Sequence, residues 1–323
     1  MKKITYKDIA DKLNISVGTV SHVLNGINDI SEETQKKVRD TAKQLGYISN
    51  SSASSLRSGK TYTIAVIVPD ISNPQIAHQI KLIEDGFQLI GYTIIILNSD
   101  ENAESEYQAI ITACSKQVDG ILLCPTQHNK KSIEFLNKIE MPYVLIGRYF
   151  SDIDTSYVCA DDYKGGYLVG KYLLENGYLN PVYVGAYSYI QSSKLRHEGL
   201  VQALKEDGHS LAFYVEVSPK SQDVTEVIDQ IIEKSGNPCS IVAFSDLLAF
   251  KIISELKSRK IHCPVIGFDA INSHLHLPVK YVSIGMKGNG WATKAIEILV
   301  DQLNNNKTIS HNLIDVELLE YNM

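Results

Sequence analysis

Three observations predict an all-α helix-turn-helix headpiece followed by an α/β body of two open parallel-sheet subdomains flanking a cleft. A capping box and apolar residues at helical spacing fill the stretch up to Gly46. After Lys60 strand-sized apolar runs alternate with amphipathic helices, the mark of βαβ units. That alternation then restarts near Tyr157. With 323 residues the chain exceeds the usual single-domain size, which suits a small domain joined to a larger one.

The first helix starts at Thr5-Tyr6-Lys7-Asp8, where the Thr5 hydroxyl can satisfy a free amide of the first turn and Asp8 can reach back. Ile9, Ala10 and Leu13 follow at helical spacing, and Asn14 suits the exit. Ser16 is a second N-cap; Val20, Val23 and Leu24 form a second stripe that ends at Gly26. Ser31-Glu32-Glu33-Thr34 opens a third helix that buries Val38, Ala42 and Leu45 before Gly46. The outward face of the second helix carries Val17, Gly18, Thr19, Ser21, His22 and Asn25, not the Glu and Lys of a merely solvated face. Thr19, Ser21 and Asn25 can donate to phosphates, and Val17 or His22 can reach base edges.

The body reads as strands Ile64 to Pro69, Thr93 to Asn98, Ile121 to Cys124 and Tyr143 to Ile146 with helices between them. A second set begins with the strand Tyr157 to Ala160 and continues through Val182 to Gly185, Phe213 to Val217, Ile241 to Phe244 and Val265 to Phe268. Each set holds too few strands for a barrel, so two open sheets sharing a cleft fit better. Ligands of such sheets bind beyond the carboxyl ends of strands, where Asp70, Asn73, Asn98, Arg148, Tyr187, Ser245 and Asp269 stand. Asp100 and Asp162 read as caps of the helices that follow them. Carboxylates and an Arg converging on a cleft suit a hydroxyl-rich ligand.

Charge agrees with this division. Residues 1–60 carry ten Lys and Arg against six Asp and Glu, or +4, which leaves −10 of the total −6 for the remainder. A basic end on an acidic body is the footprint of one nucleic-acid-binding module. No apolar run is long enough to span a membrane, and the basic start has no apolar stretch behind it, so a cytoplasmic, nucleoid-associated protein is expected. The five cysteines are scattered and read as reduced thiols. Motifs for nucleophilic hydrolysis, phosphate loops, dinucleotides and zinc are lacking, so neither an enzyme nor a bound cofactor is expected; His274 and His276 read as a solvent loop and not a metal site. A transport-type sugar-binding protein would share the body but not the capped basic headpiece.

Tyr6-Lys7-Asp8-Ile9-Ala10 and Val17-Gly18-Thr19-Val20-Ser21-His22-Val23-Leu24-Asn25-Gly26 resemble the headpiece of the lac repressor and galactose repressor family. In the body Val68 to Pro74, Gln117 to Ile121, Arg196-His197-Glu198-Gly199, Ser245-Asp246 and Ile266-Gly267-Phe268-Asp269 are similar to the family's effector-domain signatures. The resemblance implies a periplasmic-binding-protein-like body and a homodimer on a pseudo-palindromic operator, with a tetramer left open. It divides the chain into a headpiece and hinge over 1–58 and an effector domain over 59–323. Within the latter it places one subdomain at about 61–159 plus 288–308 and the other at about 160–287 plus 309–323. DNA contacts fall to Thr5, Tyr6, Ser16, Val17, Gly18, Thr19, Ser21, His22, Asn25 and Asn50, with Leu56 as a minor-groove wedge in a Ser-rich hinge. Effector contacts fall to Asp70, Asn73, Arg148, Arg196, Asp246 and Asp269, the ligand being a sugar, sugar phosphate or nucleoside. His22 stands where the family has Arg, and an imidazole lacks the fork with which Arg reads guanine. Ser49 replaces the family's Pro and Ser54 its hinge Arg. Gln75 and Ile76 stand where the family has aromatic residues after Asn-Pro, Ser245 where Asn and Met286 where Gln are common, so a changed ligand and loss of effector control are open alternatives, and a protein corepressor is another.

Overall fold

The computed structural model describes residues 4–27, 30–47, 59–219, 223–235, 240–306 and 308–321. The hinge expectations at Asn50 and Leu56, with Ser49 and Ser54, lie outside them. The chain forms two compact units, Met1–Thr61 and Tyr62–Met323.

In the first unit, α1 (Tyr6–Leu13), α2 (Val17–Leu24) and α3 (Glu32–Leu45) close on Ile9, Ala10, Val20, Val23, Val38 and Ala42, all buried. The caps form as the sequence predicts at two of the three starts. Thr5 and Asp8 exchange hydrogen bonds, and Ser16 Oγ accepts from the Thr19 amide at 2.9 Å. At α3 the Ser31 hydroxyl pairs instead with the Thr34 hydroxyl at 2.9 Å. Asn14 takes the left-handed conformation, φ 53°, that a tight exit from α1 needs.

The second unit holds two six-stranded sheets. The first runs β11-β5-β4-β3-β1-β2, from β1 (Thr63–Val68), β2 (Thr93–Asn98), β3 (Gly120–Leu123), β4 (Tyr143–Ile146), β5 (Tyr157–Ala160) and β11 (His311–Ile314). The second runs β12-β10-β9-β8-β6-β7, from β6 (Val182–Gly185), β7 (Phe213–Glu216), β8 (Ile241–Ala243), β9 (Val265–Phe268), β10 (Tyr281–Met286) and β12 (Val316–Tyr321). All pairings are parallel except β10 with β12. The central strands are buried on both faces and read as continuous apolar runs, as in Ile64 to Val68.

Two strand expectations change. The strand Tyr157–Ala160, expected to open the second set, pairs with β4 and β11 inside the first sheet. The segment 309–323, expected in the second subdomain, holds two strands split at Asp315, and β11 pairs with β5 in the first sheet. Strand β10 escaped prediction because Ser283 and Gly285 interrupt its apolar run.

The helices of the first lobe are α4 (Pro74–Leu89), α5 (Ala103–Ser115) and α6 (Lys131–Lys138), of which α4 reaches the cleft. The second lobe carries α7 (Asp162–Glu175), α8 (Gln191–Glu206), α9 (Thr225–Ser235), α10 (Asp246–Ser258) and the short α11 (Asn272–Leu275). Helix α12 (Ala292–Leu303) returns to pack on the first lobe through Ala295 and Leu299. Side chains of the two lobes touch beside the cleft. His78 of α4 stacks on His274 with ring centres 3.6 Å apart, and the Gln191 amide donates to Gln127 Oε1 at 2.9 Å.

Candidate functional site

The headpiece presents its polar face as expected. Ser16, Val17, Gly18 and His22 are exposed, while Thr19, Ser21 and Asn25 are half-buried. Asn25 Nδ2 donates to both the carbonyl and the hydroxyl of Ser21, so these two side chains brace each other at the end of α2. Thr5 is committed to its cap, and Tyr6 packs on Tyr47 with ring centres 5.5 Å apart. A short helix whose first turn carries Val17 and Gly18 offers free amides and little steric bulk, which is what close approach to a phosphate backbone requires.

Between the lobes lies a cavity of about 590 Å³, within the range of small-molecule sites. It lies beyond the carboxyl ends of the strands, and Asp70, Asn73, Arg148, Arg196 and Asp269 all line it. Arg196, on α8, is 9% exposed and is held from three sides. Its Nε donates to Asp162 Oδ1 at 2.7 Å and its Nη1 to the Phe244 carbonyl at 2.5 Å; Asp269 Oδ1 stands 3.7 Å from Nη2. The guanidinium also lies over the rings of Phe268 and Phe244, 4.5 and 5.0 Å from their centres. Burial pushes the Asp269 carboxyl up to about 6, with Arg196 opposing and Asp162 adding to the rise. Burial also raises Asp162, against the pull of Arg196. Asp269 has φ 105° and Ala270 φ 53°, a strained turn that aims the carboxylate at the cleft.

Close approach of α7 and α8 sets this geometry. A Cβ at Gly166 would run into the Arg196 carbonyl, and one at Gly199 into the Tyr163 carbonyl. Glycine at both positions lets the two backbones meet and brings Arg196 within reach of Asp162.

On the first lobe Arg148 is equally buried. Its Nη1 and Nη2 donate to the two Glu101 oxygens at 2.9 and 2.6 Å, and Nη1 also to the Pro125 carbonyl at 3.2 Å. Burial works against the Arg148 charge, and the Glu101 carboxylate more than restores it. Asn73 Oδ1 caps α4 by accepting from the Gln75 amide, and Asp70 Oδ1 holds the Ser72 amide and hydroxyl.

Asp246 is a correction. Expected at the effector, it is fully buried and absent from the cavity lining. Its Oδ2 accepts from the Ile271 amide at 2.9 Å and the Tyr281 hydroxyl at 2.8 Å, and its Oδ1 from the Ser283 hydroxyl at 2.7 Å. It ties α10 to β10 and to the loop beyond β9, and burial together with nearby Asp269 pushes its carboxyl up to about 8. Its neighbour Ser245 lines the cavity instead.

The helix caps also differ from expectation. Asp161, not Asp162, caps α7, and Asn102, not Asp100, caps α5. Asp162 is thereby free to serve Arg196, and Glu101, one residue past the polar cluster read after β2, serves Arg148. A doubled Asp161-Asp162 was a signal in itself, because one side chain suffices for a cap. Nothing local pointed to Glu101.

Two family models match the chain: the bacterial regulatory proteins of the lacI family over residues 5–50, and the periplasmic binding proteins and sugar binding domain of the LacI family over residues 61–278. The second covers more than half of the sequence. The chain belongs to the LacI family. Among its LacI-family relatives, catabolite control protein A of Priestia megaterium is 31% identical over 273 residues, 82% of each chain. The HTH-type transcriptional repressor PurR of Actinobacillus pleuropneumoniae is 26% identical over 310 residues, 94% of this chain and 92% of its own. The fold matches that of the lac repressor dimer bound to operator and an anti-inducer, with TM-score 0.86 at 16% identity over 98% of each chain. It also matches a CelR transcriptional regulator in complex with cellobiose, with TM-score 0.72 at 20% identity over 98% of each chain. The protein is a DNA-binding transcriptional regulator of the LacI family with an effector-binding domain. Among its described residues no helix is long and apolar enough to cross a membrane.

Proposed function

We propose that the protein is a repressor that binds a pseudo-palindromic operator as a homodimer and is controlled by a sugar-class or nucleoside-class effector in the cleft. The observation that carries this reading is the cavity at the strand ends, where Arg196, Asp162 and Asp269 from one lobe face Arg148 and Glu101 from the other. A ligand that bridges the lobes has a different affinity for open and closed arrangements, and shifts the DNA-bound population by that difference. An apolar edge supports the dimer: Leu89 is 89% exposed at the end of α4, close in sequence to Ile90 and to Ile96 on edge strand β2, which are also exposed. The regulator acts from the cytoplasm and needs no catalytic group.

In this reading Val17 and His22 meet base edges while Ser16, Thr19, Ser21 and Asn25 position the helix on phosphates. Selection of bound sites from a random duplex library tests it. A two-fold symmetric consensus is expected, and His22→Arg should draw the preferred base at one position in each half-site toward guanine by about 1–3 kcal/mol. A library that yields no enriched site overturns the operator reading. Thermal-shift titration of sugars and nucleosides against wild type and Arg196→Ala tests the effector site: stabilisation of wild type that is lost in the variant is expected.

A further inference from the structure

The polar groups facing the cleft differ in whether they are already committed. Arg148 carries the planar fork that suits a phosphate or a carboxylate, but both arms rest on Glu101 and a further N–H on the Pro125 carbonyl. Arg196 gives Nε to Asp162 and Nη1 to the Phe244 carbonyl, with Asp269 close to Nη2, so one positive charge faces two carboxylates. The lining adds Asp70, Asp100 and Asp161 against one further cation, Lys251. Helix starts, which elsewhere draw anions, are occupied here as well: Asn73, Asp161 and Ser245 accept from the amides of Gln75, Lys164 and Leu248. Helix α8 brings Ser192 to the lining and starts without a side-chain cap, an amide end that serves a hydroxyl as well as an anion.

We infer that the cleft accepts an uncharged, hydroxyl-rich ligand and turns away the phosphorylated or carboxylated form of the same skeleton, because the chain's own carboxylates already occupy both guanidinium groups. The inference rests on the reading of the cleft as the effector site. Ligand hydroxyls can take the arginine N–H donors that remain and donate in return to Glu101, Asp162 and Asp269. A phosphate meets a surplus of carboxylates, and has to displace a bidentate partner before it can use Arg148.

Matched pairs test this in the full chain by thermal shift and titration calorimetry: D-ribose with D-ribose 5-phosphate, D-fructose with D-fructose 1-phosphate, D-glucose with D-glucose 6-phosphate and D-gluconate, and adenosine with its 5′-monophosphate. At least one neutral member is expected to bind, and its anionic counterpart to bind at least about tenfold more weakly. Glu101→Gln keeps the shape of the partner and removes its charge, so the ratio should narrow or reverse. Asp269→Asn does the same at Arg196 and serves if Glu101→Gln does not fold. An anionic member that binds wild type as tightly as its neutral form overturns the inference and leaves the cleft reading intact, as does a ratio that neither variant moves. If no member of any pair binds, the cleft reading fails and takes the inference with it.

Discussion

The headpiece and the cleft are held together over very different lengths of chain. In the headpiece the defining side-chain bonds join residues three or four apart, as between Thr5 and Asp8, Ser16 and Thr19, or Asn25 and Ser21. In the cleft and the core behind it they join residues tens of positions apart: Arg148 to Glu101 and Arg196 to Asp162 at the lining, Asp246 to Ser283 beneath it. The first kind forms with its helix and contributes little elsewhere. The second kind exists only once the lobe that carries both partners is assembled, and each member is a charge or polar group withdrawn from water that depends on its partner. The headpiece should therefore tolerate loss of one bond as a local event, whereas the cleft should not.

The largest effect expected from this contrast is that of Arg196→Ala, which leaves Asp162 buried without its cation. It should cost about 3–5 kcal/mol in urea unfolding of the second unit and abolish ligand stabilisation together. A loss no larger than that of a helix cap would break the contrast. Next comes Gly199→Ala, whose Cβ has no space against the Tyr163 carbonyl. Separation of α7 from α8 should cost about 1–3 kcal/mol and weaken ligand binding, although Gly199 has no side chain to offer a ligand.

A gentler effect is expected from pH. Asp269 and Asp246 are pushed up to about 6 and about 8 in the folded protein, against roughly 3.9 for an unfolded Asp. The native state then holds protons that the unfolded chain has released. The stability these groups contribute is full below about pH 4 and declines as pH rises through 6 and 8. Urea midpoints at several pH values should show the decline, and Asp246→Asn should flatten its upper part without changing ligand affinity. Reduced affinity would return Asp246 to the effector site. Smallest of all, Thr5→Ala should cost the headpiece about 1 kcal/mol and leave the unfolding of the second unit unchanged.

The same contrast explains what the sequence disclosed. Periodicity and caps are local, so α1 to α3 and the alternating elements of the body were legible, as was the position of Arg148 and Asp269 beyond strand ends; Arg196, inside α8, was marked only by the family resemblance. Partnership was not legible. The family resemblance made Asp246 an effector contact, yet its acceptors are filled by Ile271, Tyr281 and Ser283, residues whose proximity follows from sheet order. Strand β11 read as part of the second half because its sequence continues into β12; the change of sheet rests on one residue that has no distinctive composition.

That residue has a mechanical consequence. The chain passes between lobes three times: at Asp161 between β5 and α7, through residues 287–291, and at Asp315 between β11 and β12. The crossings lie abreast, since the Asp161 amide donates to the Ile314 carbonyl and the Lys287 amide to the Asp315 carbonyl. Two of the three offer a single residue each, hence one pair of soft backbone torsions apiece, and Lys164 and Lys287 both donate to the Asp315 carboxylate. With so few torsions in parallel, the crossings should favour rotation about one axle over sliding and splaying of the lobes. A ligand in the cleft thus drives one coordinate, so the energy of its contacts is delivered to the rest of the molecule as an angle.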